Sequence, residues 1–399
     1  MKRDIIRMAL LFLAVGLFSH SISSSSFADE VRGVSDDTIK VGTVMDLTGA
    51  VSENLIPYAN SVRNYFKHIN DRGGINGRKV KVIVEDDRYS IPMAVAAFKK
   101  LVFKDKVLTI IGLASPQTTA LMSTIEKNKL PTITYSPLIT MTTPFRRYIF
   151  NDCLDYGFQA MIVIDYVMKD LKEKNPRFAI ATADRVWGKR IIDASKEHLK
   201  RYGLKLVDIE LLPMTALDAS TEAMNLKRTK ANYVIALQAV PPLIALFTSS
   251  RKLSYSPTFM IVEATCPDIY IQKAGIAAKN LMGAVGFNSW HDDTPGINKM
   301  RALTLKYQPD TREPNRHYAW GWLSAMIGGE GMKRAGKNLN GETFVSALES
   351  IDNFDSGGIG GPIGFSSKSH KGADYVRLVK ANVEKGRFVP ITGWRKLSE

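Results

Sequence analysis

The stretch NDRGGINGRKVKVIVEDD, residues 70–87, contains a helix end, a tight turn and a β-strand in direct succession. Upstream, the apolar residues of segment 58–69 fall at helical spacing, which predicts an amphipathic helix with one buried face. Gly73 and Gly74 end that helix, because glycine adopts the left-handed backbone of a helix C-terminus without a Cβ clash. Residues 80–84 are mostly valine and isoleucine and predict a strand that is buried on both faces of a parallel sheet.

Short apolar runs alternate with helical patterns along the rest of the chain. Strands are predicted at residues 39–45, 107–112, 130–134, 178–182, 204–212, 233–237 and 258–262. Helices are predicted at residues 93–103, 118–127, 158–171, 188–202, 241–252, 315–334 and 340–349, and a terminal hairpin at residues 375–381 and 387–390. Such alternation is typical of parallel sheets with crossover helices on both faces, so the predicted fold class is α/β.

The segment IKVGTVMDLTG, residues 39–49, adds a strand that runs into a short polar loop ending in glycine. Together with residues 70–87, it resembles the opening of the bacterial periplasmic receptors for leucine, isoleucine and valine, the type I solute-binding proteins of ABC importers. The resemblance implies two similar lobes, each a parallel-rich sheet flanked by helices, joined by a three-strand hinge in the periplasmic binding protein-like I fold.

The same resemblance implies that the chain crosses between the lobes three times. The crossings are expected near residues 151–155, 281–287 and 356–361. The N-terminal lobe would then comprise residues 29–151 and 287–356, and the C-terminal lobe residues 152–286 and 357–399. The third crossing contains GGIGGPIG, which lacks the GxGxxG spacing of a phosphate-binding loop and is interpreted as a hinge or turn.

The N-terminus has the pattern of a secretory signal peptide. Lys2, Arg3 and Arg7 flank an apolar core at residues 8–18, and a serine-rich stretch leads to Ala28, after which cleavage is expected. A membrane anchor is the alternative, but the apolar core is well short of the roughly 20 residues that a membrane-spanning helix needs. Residues 1–28 are therefore predicted to be removed, and the family resemblance then implies a periplasmic location.

Composition and charge exclude several classes of function. The net charge is +15, yet Lys and Arg are scattered along the chain without basic runs interleaved with aromatic residues, which argues against a nucleic-acid partner. The histidines, His317 among them, are dispersed and indicate no metal site, and no cofactor or enzyme motif is found. Cys153 and Cys266 could form a disulfide in an oxidising compartment or remain two buried thiols, and the sequence leaves both possibilities open.

Ligands of open α/β sheets bind beyond the carboxyl ends of strands, which selects particular loops of this chain. In the loop GLASPQTT, Ser115 can offer its hydroxyl and amide to a carboxylate or can act as a helix N-cap, and Gln117 lies beside it. Ser136 corresponds by resemblance to a position that holds the ligand's carboxylate and ammonium. Leu138 stands where amino-acid receptors of the family usually have threonine, which weakens the case for an α-amino acid. Trp187 matches an aromatic residue that closes over the ligand side chain.

Four further positions complete the predicted site. Glu263 aligns with the acid that pairs with the ligand ammonium in the family, a charge-assisted contact that would orient the ligand. Asn54 and Ala239 replace aromatic residues that relatives often carry, so both would enlarge or reshape the pocket. Gln238, beside Ala239, is a candidate polar replacement.

The sequence thus predicts a periplasmic receptor, not an enzyme, that closes on a small ligand. The ligand expected from the resemblance is a branched-chain or related hydrophobic amino acid, which a monomeric receptor would deliver to an inner-membrane permease and its ATPase. Two alternatives remain open: a receptor of the same family for an amide, urea or aromatic carboxylate, and a periplasmic sensory receptor.

Overall fold

The computed structural model describes residues 31–263 and 266–397, and from Arg32 onward these belong to one compact unit. The predicted signal peptide and its cleavage after Ala28 lie outside the described residues. Among the residues that are described, no helix is both long and apolar enough to cross a membrane.

The first sheet has five parallel strands in the order β2-β1-β3-β4-β5. They are β1 (Thr38–Met45), β2 (Lys79–Asp86), β3 (Thr109–Ala114), β4 (Thr132–Tyr135) and β5 (Ile149–Asn151). The connecting helices are α1 (Ser52–Asp71), α2 (Ile91–Lys99), which continues into a π-helical turn (Lys100–Lys104), and α3 (Ser115–Lys127).

The second sheet has seven strands in the order β12-β11-β10-β9-β8-β6-β7, of which β6 to β10 are parallel and β11 and β12 antiparallel. The strands are β6 (Phe178–Thr182), β7 (Asp208–Leu211), β8 (Tyr233–Leu237), β9 (Thr258–Ile261), β10 (Leu281–Val285), β11 (Arg377–Asn382) and β12 (Arg387–Pro390). The helices are α4 (Tyr156–Asp165), with a π-helical turn (Tyr166–Asp170), α5 (Val186–Lys200), α6 (Ser220–Arg228), α7 (Val240–Lys252) and α8 (Ile269–Ala274).

Three helices late in the chain return to the first sheet. They are α9 (Pro295–Tyr307), α10 (Arg316–Ala335) and α11 (Gly341–Glu349), and α10 packs lengthwise on α1. The chain therefore passes from the first sheet to the second after β5, returns after β10 and passes again before β11. Isolated bridges join Asn151 to Lys371 and Phe287 to Gly360, so the passing segments lie side by side.

The stretch that opened the sequence analysis folds largely as expected. Helix α1 ends at Asp71, and Gly73 and Gly74 follow with φ angles of +101° and +85°. A Cβ on Gly74 would lie 2.0 Å from the carbonyl oxygen of Arg78, so the turn excludes any side chain there. The expectation of a strand buried on both faces is wrong: β2 is an edge strand, and Val82 is only partly buried because one side of β2 has no neighbouring strand.

The α/β prediction, with two parallel-rich sheets flanked by helices, is confirmed. Strands β6 and β8 have the predicted bounds, and the terminal hairpin is present. The long strand expected at residues 204–212 shrinks to the four residues of β7, another sheet edge. The segment 281–287, expected as a crossing, begins with a further strand, β10, before the chain leaves the sheet. The exact lobe boundaries stay a prediction.

Both cysteines are buried free thiols, so the disulfide alternative is not realised in this structure. Burial raises the pKa of Cys153 and of Cys266, which keeps each thiol protonated and unreactive.

Candidate ligand-binding site

A cavity of about 550 Å³, including space open to solvent, lies where the carboxyl ends of strands from both sheets face each other. This is the position that the strand-end rule for α/β sheets predicts for a ligand. The lining residues are Val51, Asn54, Leu55, Tyr89, Ala114, Ser115, Tyr135, Tyr156, Trp187, Met214, Leu237, Gln238, Ala239 and Glu263.

Acidic side chains fix the loop after β1, which leads into the cavity wall. Asp86 accepts hydrogen bonds from the Leu47 amide (2.9 Å) and the Thr48 hydroxyl (2.6 Å). Asp46 accepts one from the amide of Val51 (2.8 Å), immediately before α1. These hydrogen bonds fix the loop that leads into α1. In the first turn of that helix, the Oδ1 atom of Asn54 is buried without a hydrogen-bond partner in the protein.

Ser115 lines the cavity at the start of a helix. It is the first residue of α3, after the fully buried strand β3, and only 6% of it is exposed. Ala114 occupies the N-cap and offers no side-chain cap, so the expected alternative of Ser115 as an N-cap does not hold. The Ser136 hydroxyl donates to Ser115 Oγ at 3.0 Å from behind. The Ser115 hydroxyl and amide therefore stand at a helix N-terminus, where the helix dipole favours negative charge.

Aromatic rings form much of the wall. Tyr135 is held by stacking on Trp320, with ring centroids 4.0 Å apart. Burial raises the pKa of Tyr89 to about 12, and interaction with Trp187 opposes that rise. Both residues line the cavity. Tyr89 has a φ of +55°, a left-handed conformation that a non-glycine residue rarely adopts and that often marks a functional position. Tyr156 opens α4 and adds a further ring.

The loop after β8 uses its polar side chain for its own structure. Gln238 donates from Nε2 to the Leu212 carbonyl (2.8 Å) and accepts at Oε1 from the Ala239 amide (2.7 Å). Gln238 thus lines the cavity, but its amide fixes the backbone, and Ala239 presents only a methyl group.

Glu263 is the one ionisable carboxyl group among the described lining residues. Its Oε1 lies 3.2 Å from His317 Nε2, and its Oε2 accepts from the Tyr270 hydroxyl at 3.1 Å. The other nitrogen of His317, Nδ1, lies 2.7 Å from the Tyr135 hydroxyl. Burial, and next the charge of Glu263, raises the pKa of Tyr156 well above its usual value.

No lysine, arginine or histidine is found among the lining residues that the structure describes. Among the described lining residues, the cavity therefore combines one carboxylate with aromatic, apolar and uncharged polar side chains, and its positive element is the dipole at the start of α3. A ligand with an amino group would be attracted to that carboxylate, whereas a purely anionic ligand would be repelled by it.

The structure brings six of the nine predicted site residues to the cavity: Asn54, Ser115, Trp187, Gln238, Ala239 and Glu263. The other three do not line it. Ser136 is fully buried behind Ser115, and Leu138 is 3% exposed within the core of the first sheet. Gln117 is fully buried, and neither of its amide atoms has a hydrogen-bond partner in the protein.

Sequence reasoning missed the tyrosines and His317. Tyr135 directly precedes the predicted Ser136, so the end of a buried strand was a usable signal for it. Tyr156 follows a passage between the sheets, and His317 is the second residue of α10, a helix that the sequence predicts without marking its start as functional. The place of Tyr156 at the cavity, and of His317 behind Glu263, depends on tertiary packing that no local pattern encodes.

Comparison with known proteins agrees with this architecture. A family model described as "Periplasmic binding protein" matches residues 38–387. The "Leu/Ile/Val/Thr-binding protein" of Salmonella typhimurium is 24% identical over 317 residues, which cover 79% of this chain and 82% of that protein.

Solved structures also superpose closely. A branched-chain amino acid ABC transporter protein from Thermus thermophilus with bound valine gives a TM-score of 0.83 at 25% identity, covering 90% of this chain and 96% of that one. A fatty acid ABC transporter substrate-binding protein from Thermomonospora curvata gives 0.81 at 20% identity, covering 92% and 94%, and at that identity the likeness shows the fold alone.

Proposed function

The chain belongs to the periplasmic binding protein family, in the type represented by the leucine, isoleucine and valine receptors, and on that premise we propose that it is the substrate-binding component of an ABC importer. Its proposed ligand is a branched-chain or related hydrophobic amino acid. The observation that carries this proposal is the charge pattern of the cavity: a helix N-terminus with Ser115 on the first sheet, a carboxylate at Glu263 on the second, and uncharged, mostly apolar or aromatic side chains at the other described lining positions.

A zwitterion satisfies both polar elements at once. The α-carboxylate would accept from the hydroxyl and amide of Ser115, and the ammonium would donate to Glu263. The side chain would then lie against Trp187, Tyr89 and Leu55, where burial of apolar surface adds affinity. Two charge-assisted contacts on opposite sheets also give a physical reason for the sheets to close on the ligand.

Delivery follows from the family role. The receptor would act in the periplasm, bind its ligand as a monomer without altering it, and present it to an inner-membrane permease that an ATPase drives. The valine bound to the structurally similar Thermus thermophilus protein supports an amino-acid ligand for this chain.

The charge pattern argues against an aromatic carboxylate or a fatty acid as the main ligand. Such an anion would meet Ser115 favourably, but its negative charge would share the cavity with the carboxylate of Glu263. Two like charges in one buried site repel each other, which is costly.

The proposal is tested by titrating purified protein with leucine, isoleucine, valine and phenylalanine in a calorimeter. We expect at least one to bind and to raise the melting temperature by mass action. Ser115→Ala should weaken that binding about 10- to 100-fold, the loss of a hydrogen bond to a charged group. Ser123→Ala is the matched control, since Ser123 is an exposed serine on the same helix. If no hydrophobic amino acid binds, or if both variants bind like the wild type, the proposal is wrong.

A further inference from the structure

His317 connects the two sheets at the cavity. It lies at the start of α10, which packs on α1 beside the first sheet, and its amide donates to the N-cap side chain of Asn315 at 3.1 Å. Glu263 follows β9 of the second sheet. The 3.2 Å contact between His317 Nε2 and Glu263 Oε1 therefore joins helix α10, beside the first sheet, to the loop after β9 of the second sheet.

A chain of hydrogen-bonding groups fixes both ends of this contact. Tyr135 is immobilised by Trp320, and its hydroxyl lies 2.7 Å from His317 Nδ1. Beyond the histidine, Glu263 Oε2 accepts from the Tyr270 hydroxyl, and that hydroxyl also lies 3.2 Å from the carbonyl oxygen of Gln238. The whole chain is consistent with one imidazole tautomer, in which Nε2–H donates to the carboxylate and Nδ1 accepts from tyrosine.

We propose that His317 is the positioning residue for amine recognition, so that the cavity selects ligands with an amino group over the same molecules without one. This inference rests on the proposed function and assigns its selectivity to a side chain outside the cavity lining. Because His317 is fully buried, it acts by holding the Glu263 carboxylate in one orientation, not by touching the ligand. A carboxylate accepts up to about four hydrogen bonds, so an ammonium can be bound alongside these partners.

The physical consequence is preorganisation. A carboxylate held from His317 on one oxygen and Tyr270 on the other does not need to be ordered when the ligand arrives, and that lowers the cost of binding. Without the histidine, the Glu263 side chain would lose its partner from the first sheet, and the ammonium would have to fix its rotamer. Binding of a ligand without an amino group gains nothing from this arrangement.

The test measures amine discrimination, the ratio of dissociation constants for an acid without the amino group and for the matching amino acid. The probe pairs are 4-methylpentanoate with L-leucine, and 3-phenylpropanoate with L-phenylalanine. We expect His317→Leu to lower the ratio about tenfold or more, through weaker binding of the amino acid, while the deaminated acid changes less than about threefold. His317→Gln keeps a donor near the Nε2 position and should retain most of the ratio.

A second histidine provides a matched control. His370 Nε2 lies 3.2 Å from Glu349 Oε1, and the exposed fractions of its two side chains, 0% and 11%, equal those of the His317 and Glu263 pair. This pair lies against Phe150 of β5 and does not line the cavity. His370→Leu should therefore leave amine discrimination unchanged, whatever it does to stability.

The outcomes separate the two proposals. If His317→Leu and His317→Gln both bind amino acids with the wild-type ratio, or if His370→Leu lowers the ratio as much, the role of His317 is refuted while the proposed function stands. If the wild-type protein binds the deaminated acids as tightly as the amino acids, both proposals are refuted. Glu263→Gln should lower the ratio by itself, and adding His317→Leu to it should change the ratio little further, since both act on the same carboxylate.

Discussion

Replacing Asp152 by asparagine should change how the protein's stability depends on pH. Asp152 lies just after β5, where the chain leaves the first sheet, and it is 1% exposed. It accepts hydrogen bonds from Trp320 Nε1 (2.7 Å) and Ser324 Oγ (2.5 Å). These two hydrogen bonds offset only part of the hydration that the carboxylate loses, so burial raises the pKa of Asp152 to about 6.

The magnitude follows from that pKa. The rise from 3.8 to about 6 corresponds to roughly 3 kcal/mol at 1.36 kcal/mol per pKa unit. Because the folded state holds the proton more tightly than the unfolded state, the cost is fully present above about pH 6 and disappears below about pH 4. Asparagine at this position carries no charge. Its Oδ1 can accept from Trp320 Nε1, and its Nδ2 can donate to Ser324 Oγ, whose own hydroxyl can donate to the Trp320 carbonyl. We therefore expect Asp152→Asn to gain about 1–2 kcal/mol over the wild type at pH 8, after loss of the charge-assisted bonds, and to lose that advantage by pH 4.

The assay is urea unfolding followed by tryptophan fluorescence between pH 4 and pH 8, with the difference in unfolding free energy plotted against pH. Asp155→Asn serves as the contrasting control, since Asp155 is equally buried but pairs with Arg190 at 2.6 Å. Removing that charge should destabilise the protein at pH 8. A difference between Asp152→Asn and the wild type that stays constant from pH 4 to pH 8 would refute the reasoning, because no proton would then be linked to folding at this residue.

Three further predictions concern the cavity and its support. Trp187→Ala should weaken amino-acid binding about 10- to 100-fold in calorimetry by removing a ring from the wall, whereas Val186→Ala, at an exposed neighbour, should not. Gly112→Ala should lower the free energy of unfolding in urea by roughly 2–4 kcal/mol, because its φ is +95° and a Cβ would meet side-chain atoms at 2.5 and 2.7 Å. Gly73→Ala, with a φ of +101° but open space around a Cβ, should lower it by only about 1 kcal/mol. Gln117→Met should raise stability by about 1–3 kcal/mol without changing ligand affinity, since it removes a buried unpaired amide that does not line the cavity; weaker binding would contradict this placement.

The strands that the sequence locates most accurately are β6 and β8. β6 and β8 lie inside the second sheet, all their residues are buried, and each reads as a continuous apolar run between polar segments. β2 and β7 lie at sheet edges, where half-buried residues carry a mixed pattern, and their burial or length was misjudged. An edge strand's environment is set by which neighbours it lacks, and that is a property of the whole sheet and not of the segment.

The same distinction applies to the site. Ser115, Trp187 and Glu263 each follow a strand that the sequence reveals, and the strand-end rule carries them to the cavity. Tyr156 lines the cavity from the start of a helix that follows a passage between the sheets. His317 contacts Glu263 from outside the cavity lining, at the start of a helix that follows a long return segment. Their positions depend on how α4 and α10 pack, so periodicity along the sequence contains no signal for them.

The positions of the predicted site residues in the structure also change which of them can be used to infer the ligand. Leu138 was the main departure arguing against an α-amino acid, but it packs in the core and contributes no surface to the cavity, so it cannot select a ligand by contact. Ala239 does line the cavity, and its small side chain affects shape only. Glu263 affects every candidate ligand, because a carboxylate in the cavity attracts a cationic group and repels an anionic one whatever the ligand's shape. Since His317 and Tyr270 fix that carboxylate from outside the cavity, the ligand's class depends on residues that never touch it as well as on those that do.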